Sequence, residues 1–151
     1  MIRGFEIVKG WEGKEIHLPI RKTKYSAGYD IEAAEDILVP KYVEGIAPTF
    51  IPTGLKAMMQ EDEVLFLYNR SSNPKKKNLI LANGVGVIDK DYYGNDENDG
   101  HIYFAFYNYG EEDILIKKGE AIGQGVFSKY LLVDDDQAEG IRKSGFGSTD
   151  L

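Results

Sequence analysis

No window of this sequence keeps apolar residues at i, i+3, i+4 and i+7 for the length of an ordinary helix. The apolar residues fall instead in short runs, at 5–8, 29–33, 37–39, 55–58, 64–68, 79–82, 102–107, 114–116 and 121–127, with Gly, Pro, Asn or Asp between them. Several runs are rich in Val, Ile, Tyr and Phe, which pack well on a pleated surface. Many short strands with frequent turns point to an all-β sandwich, jelly roll or barrel. One short helix is expected after Arg70-Ser71-Ser72, where Asn73 suits a cap and Pro74 the first turn. The chain has 151 residues, enough for one domain that buries about 70% of its unfolded surface. It shows neither an internal repeat nor an interdomain linker.

Composition narrows the chemistry. Cysteine is absent, which excludes disulfides, a thiolate nucleophile and Cys-ligated zinc or iron–sulfur sites. With two histidines, His17 and His101, a multi-histidine metal site is not expected. A net charge of −7, from 25 Asp+Glu against 18 Lys+Arg, argues against general duplex nucleic-acid binding. The N-terminus lacks the apolar region of a signal peptide, and the mostly apolar stretch 79–88 is interrupted by Asn83 and too short for a bilayer. A cytoplasmic protein with no membrane partner is therefore expected.

The segment Asn83-Gly84-Val85-Gly86-Val87-Ile88-Asp89-Lys90-Asp91-Tyr92-Tyr93-Gly94 is the most informative. A glycine-containing turn leads into a strand that ends in two carboxylates and two tyrosines. It is not a dinucleotide fingerprint, since Asp89 stands at the third glycine and no helix follows. Nor is it an EF-hand starting at Asp89, because Tyr93 and Gly100 occupy ligand positions. A solvated hairpin accounts for it, and so does a carboxylate held on a strand end to position and deprotonate a water. Such a base needs an electrophile activated by positive charge, and Arg70, Lys75-Lys76-Lys77, Arg142 and Lys143 are candidates. The lysine run serves equally as a solvated face. Gly145-Phe146-Gly147-Ser148-Thr149 offers backbone N–H groups and hydroxyls that suit an anion, or else forms a plain tail.

Taken in order, five segments resemble the motifs of the dUTPase family: Ala27-Gly28-Tyr29-Asp30-Ile31, Arg70-Ser71-Ser72, Gly86 to Gly94, Gly119-Glu120-Ala121-Ile122-Gly123-Gln124, and residues 142–149. The resemblance implies a distorted jelly-roll or β-barrel-like subunit with one short helix, forming a homotrimer with active sites at subunit interfaces. It implies a core over residues 1–140 and a mobile glycine-rich arm over 141–151 that closes over the site. The implied reaction is Mg²⁺-dependent hydrolysis of dUTP to dUMP and pyrophosphate.

By the same resemblance, Asp89 would hold the water that attacks the α-phosphorus. Asn83 and the backbone of Gly86, Val87 and Ile88 would pair with uracil, and Tyr92 would lie against deoxyribose. Arg70, Ser71, Ser72 and Gln124 would hold phosphate oxygens, and Asp30 would act on Mg²⁺ through its water ligands. Phe146 would close over uracil, while Arg142, Gly147, Ser148 and Thr149 would serve the terminal phosphate. Departures from the family pattern are Ser72-Asn73 after Arg-Ser, a shortened spacing from Arg142 to Phe146, Asp150, and an inserted acidic turn, Asn95-Asp96-Glu97-Asn98-Asp99-Gly100. These features resemble the dUTPases of Gram-positive bacteria and their phages. Two alternatives are a dCTP deaminase of the same fold and a nucleotide-sensing protein that binds a regulatory partner through the acidic turn.

Overall fold

The computed structural model describes residues 1–143. Eleven antiparallel-paired strands build it: β1 Gly4–Ile7, β2 Tyr29–Glu32, β3 Ile37–Val39, β4 Thr49–Pro52, β5 Leu55–Met58, β6 Glu63–Asn69, β7 Leu79–Leu81, β8 Gly86–Ile88, β9 Tyr103–Asn108, β10 Ile114–Ile116 and β11 Ala121–Lys129. They form a four-stranded sheet in the order β2-β11-β6-β8, a three-stranded sheet β4-β9-β7, and the pairs β1-β5 and β10-β3. The expected all-β jelly-roll class is what the chain adopts. Helical structure among the described residues is one five-residue π-helical turn, Asn73–Lys77, and one 3₁₀ turn, Lys90–Tyr92.

The inner faces of the two larger sheets meet in one core that includes Ile31, Ile51, Leu65, Leu79, Phe104, Phe106 and Ile122. Strand β9 shows why alternation suffices to specify this: Phe104, Phe106 and Asn108 are buried, and the residues between them are half-buried. Asn108 is polar at an inward position, and its amide is fully used. It donates to the Val39 and Glu112 carbonyls and accepts from the Gly110 N–H, so it fastens β3 to the turn after β9.

Two elements differ from expectation. The sequence pattern assigns no strand to Thr49–Pro52, because prolines flank it; β4 exists as an edge strand, where Pro52 at the strand end removes no needed donor. The short helix is present, but Ser72 is its cap residue and no side chain caps it. Asn73 is instead buried within the turn, donating to Asn69 Oδ1 at 2.8 Å and to the Ile122 carbonyl at 2.9 Å. Competition for a buried carbonyl outweighs the local preference for capping.

His101, also buried, joins the turn between β4 and β5 to the start of β9. Its Nε2 accepts from the Gly54 N–H at 2.9 Å, and its ring packs against Trp11 and Tyr103. Burial pushes its pKa down to about 4, and a neutral Nε2 is what this hydrogen bond requires. Because the folded value lies below the ordinary 6.5, the unfolded chain takes up the proton first. Stability from this residue is complete above pH 6.5 and declines between 6.5 and about 4, by up to about 3 kcal/mol. Urea unfolding across this window should show the decline, and His101→Asn should flatten it; an unchanged slope in the variant would overturn the assignment.

Candidate active site

Strand β6 organises the residues that the motifs single out. On one side it pairs with β8, with Leu65 opposite Ile88, Phe66 opposite Val87 and Leu67 opposite Gly86. Gly86 is required by this contact, since a Cβ there would stand 2.9 Å from the Leu67 Cβ. Asn83 and Gly84 form the tight turn into β8, with Gly84 at φ +74° and its N–H donating to the Leu81 carbonyl. β8 is the edge strand of its sheet, so its far side presents backbone donors and acceptors away from β6. Ile88 points into the core and Val87 outwards.

Asp89 is the first residue after β8 and keeps an extended backbone. Its side chain is 51% exposed, and that of Asp91 58%. Arg142 reaches both: Nη2 lies 2.6 Å from Asp89 Oδ2 and Nε 2.7 Å from Asp91 Oδ1. Asp91 has no role in the sequence analysis, and its place within two residues of Asp89 on the turn was the signal available. Tyr92 is buried, only 4% exposed, and its hydroxyl donates to the His101 carbonyl. Burial pushes that hydroxyl's pKa up to about 12, so it keeps its proton at neutral pH.

The other motif residues gather at the opposite end of β6. Gln124 of β11 lies between Tyr68 of β6 and Asp30 of β2. Just before it, the β2–β11 register shifts between Ala121 and Gly123, a bulge that exposes two carbonyls to side chains. Arg70 Nη1 donates to the Ala121 carbonyl at 3.1 Å, and Asn73 takes the Ile122 carbonyl. The segment holding Arg70, Ser71 and Ser72 is thereby fixed beside Gln124. Close approach is bought with glycine: a Cβ on Gly28 would stand 2.1 Å from Gln124 Oε1, and one on Gly123 2.2 Å from the Phe104 ring. Lys22 Nζ lies 3.8 Å from Asp30 Oδ2, a cation that the sequence analysis did not assign.

Within one chain, then, the candidates form two groups. Asp89, Asp91, Tyr92 and Arg142 stand at the Val64 end of β6; Asn83, in the turn that enters β8 at Gly86, stands with Asp30, Arg70, Ser71, Ser72 and Gln124 at the Asn69 end. Along β6, Asp89 emerges beside Val64 and Gln124 stands opposite Tyr68, four residues of extended strand or about 13 Å away, with Arg70 two residues farther. Phe146, Gly147, Ser148 and Thr149 lie outside the described residues. The first group can orient and deprotonate a water; the second offers a guanidinium, an amide and hydroxyls that suit phosphate oxygens.

A family model described as dUTPase matches residues 14–150. The deoxyuridine 5'-triphosphate nucleotidohydrolase of Lactococcus lactis is 51% identical over 151 residues, covering 98% of this chain and 97% of that protein. That of Escherichia coli is 33% identical over 144 residues, covering 89% and 88%. The crystal structure of a dUTPase from Streptococcus mutans superposes with a TM-score of 0.80 at 44% identity, covering 87% of this chain and 98% of that one. A dUTPase from phage phi11 of Staphylococcus aureus, with a species-specific insert, superposes at 0.73 with 18% identity over 93% and 98%, a likeness of fold.

The Gly28–Gln124 contact is open to a direct check. Gly28→Ala should turn the Gln124 amide out of its present position, and the Gln124 Cβ, 3.1 Å from the added methyl, obliges the strands to give by a few tenths of an ångström. The thermal midpoint should fall by no more than about 4 °C. A structure of the variant with Gln124 unmoved would sink this account.

Proposed function

The chain belongs to the dUTPase family and hydrolyses dUTP to dUMP, and from that premise we propose how its own residues perform the reaction. Asp89 holds a water by accepting its hydrogen bond and takes its proton as the oxygen attacks the α-phosphorus. The bond from that phosphorus to the bridging oxygen breaks, and pyrophosphate leaves. The observation that carries this is the setting of Asp89, a half-exposed carboxylate on the end of a strand that β6 holds in register. A carboxylate is a weak base at neutral pH, so placement matters more than basicity.

Uracil pairs with the outer edge of β8, at the backbone of Gly86, Val87 and Ile88, and with Asn83. An edge strand suits this task because a base presents donors and acceptors along one side, as a neighbouring strand would. Cytosine at that edge would leave polar groups without partners, a strong discrimination. Tyr92 forms the wall against deoxyribose. Arg70, Ser71, Ser72 and Gln124 hold phosphate oxygens. With triphosphate bound, Arg142 exchanges the Asp89 and Asp91 carboxylates for the terminal phosphate, joined by Gly147, Ser148 and Thr149, while Phe146 covers the base.

The candidates are divided between the two ends of β6, an arrangement that residues of a second subunit would complete around one nucleotide. This supports a homotrimer with sites between subunits. Among the described residues no cluster of three or more His, Asp or Glu side chains is gathered for a metal. Mg²⁺ favours oxygen donors, keeps several waters and commonly binds substrate phosphates with one or two carboxylates, which Asp30 fits. When bound, it neutralises charge on the phosphates. No described helix is long and apolar enough to cross a membrane, and a cytoplasmic location accords with the substrate.

Neither alternative is favoured. The family match selects dUTP hydrolysis over dCTP deamination. A regulatory contact through residues 95–100 would draw on side chains of which Asn95, Asn98 and Asp99 are bonded inwards.

Asp89→Asn should lower turnover by roughly 10³-fold or more while dUTP still binds, measured by pyrophosphate release and calorimetry. Near-normal rates would remove Asp89 from the mechanism. Deleting residues 141–151 should lower kcat and leave the oligomer intact by sedimentation; a monomer would mean that the arm is structural. Assays with dUTP, dCTP, dTTP and UTP side by side test the base and sugar choices.

A further inference from the structure

The acidic turn at residues 95–100, which resembles an insertion in the family pattern, is built around Tyr92. Asn98 Nδ2 lies 2.9 Å from the Tyr92 hydroxyl oxygen, and the hydroxyl donates in turn to the His101 carbonyl. The orientation of Asn98 follows from its other end: Oδ1 accepts from the Gly100 N–H at 3.1 Å and from Asn95 Nδ2 at 2.8 Å. A backbone N–H can only donate, so the oxygen faces Gly100 and the N–H faces Tyr92.

The turn also grips the Tyr92 backbone. Asn95 Nδ2 donates to the Tyr92 carbonyl at 2.7 Å, and Gly100, at φ +92°, leaves room where a Cβ would stand 2.9 Å from that carbonyl oxygen. Asp99 anchors the assembly from outside, paired with Lys56 at 2.7 Å and accepting from the Lys9 N–H at 3.0 Å. Two side chains of this turn, Asn95 and Asn98, therefore converge on one aromatic residue, at its backbone and its hydroxyl.

We propose that Asn98 is a positioning residue for substrate selection: through the Tyr92 hydroxyl it sets the depth of the ring that excludes a ribose 2′-hydroxyl. The inference rests on the proposed place of Tyr92 against deoxyribose. A ring held at both ends cannot swing aside for an extra oxygen, whereas a ring held by packing alone yields more readily. The insertion thus sharpens the choice of deoxyribonucleotide without touching the nucleotide.

The test compares full-length wild type with Asn98→Asp, Tyr92→Phe, the double variant and Tyr92→Ala, in kcat/KM for dUTP and UTP and in thermal midpoint. Asn98→Asp keeps an oxygen for Asn95 and Gly100 and loses the N–H that reaches Tyr92. The dUTP-to-UTP ratio should fall about five- to tenfold in Asn98→Asp and in Tyr92→Phe, and no further in the double variant than in Tyr92→Phe. A lowered midpoint with an unchanged ratio in both single variants overturns the proposal, since the network is then only structural. If Asn98→Asp fails to fold, Tyr92→Phe decides alone. An unchanged ratio in Tyr92→Ala overturns instead the placement of the ring beside the sugar.

Discussion

Strand β6 pairs with β11 along one side and with β8 along the other, and this double register fixes both groups of site residues at once. In an antiparallel sheet a slip of one residue turns every side chain to the opposite face. Leu65 and Leu67 are buried on β6, so a slip would carry them into water, and the core forbids it. The hydrophobic interior therefore sets where Asp89 emerges beyond β8 and where Gln124 stands beside Asp30. Placement of the candidate residues is a by-product of core packing here, and each group is as rigid as the sheet that carries it.

That rigidity depends on backbones and side chains approaching more closely than a Cβ permits. Gly123 lets the Phe104 ring lie against β11, and Gly28 lets the Gln124 amide lie over β2. The bulge between Ala121 and Gly123 then frees two carbonyls for Arg70 and Asn73. The segments that carry Arg70 and Gln124, far apart in sequence, are one structural unit joined by these bonds. Replacing either glycine acts on the group around Arg70 and Gln124 through packing, without removing any polar atom.

Much of this was legible in the sequence. The short apolar runs that form β6 and β9, the latter only loosely alternating in sequence, and the strand end at Asp89 follow from residue type and spacing. β4 was hidden because its prolines read as breakers, which they are everywhere except at an edge. Asn73 reads as a cap because capping is local, while the Ile122 carbonyl that claims it is 49 residues away. The 95–100 segment reads as an acidic turn between strands that could meet a partner, since nothing in its composition reveals that Asn98 meets the Tyr92 hydroxyl. The separation of the two groups depends on the β6–β8 register, a tertiary property that no single segment encodes.

The ion pairs at Asp89 bear on how an acidic protein handles a triphosphate. A charge of −7 repels an anion at a distance, so positive charge has to be concentrated where the phosphates sit. The Arg142 side chain is largely covered, but its two carboxylate partners are about half exposed. Pairs between such exposed carboxylates and a guanidinium contribute on the order of 1 kcal/mol, because water screens them. A phosphate carries more charge and accepts two parallel N–H bonds from the same guanidinium. In the proposed mechanism, exchange of Asp89 and Asp91 for phosphate would thus be downhill for Arg142. It would leave the Asp89 carboxylate able to accept from water at the moment substrate arrives, and would keep it occupied by a cation before then.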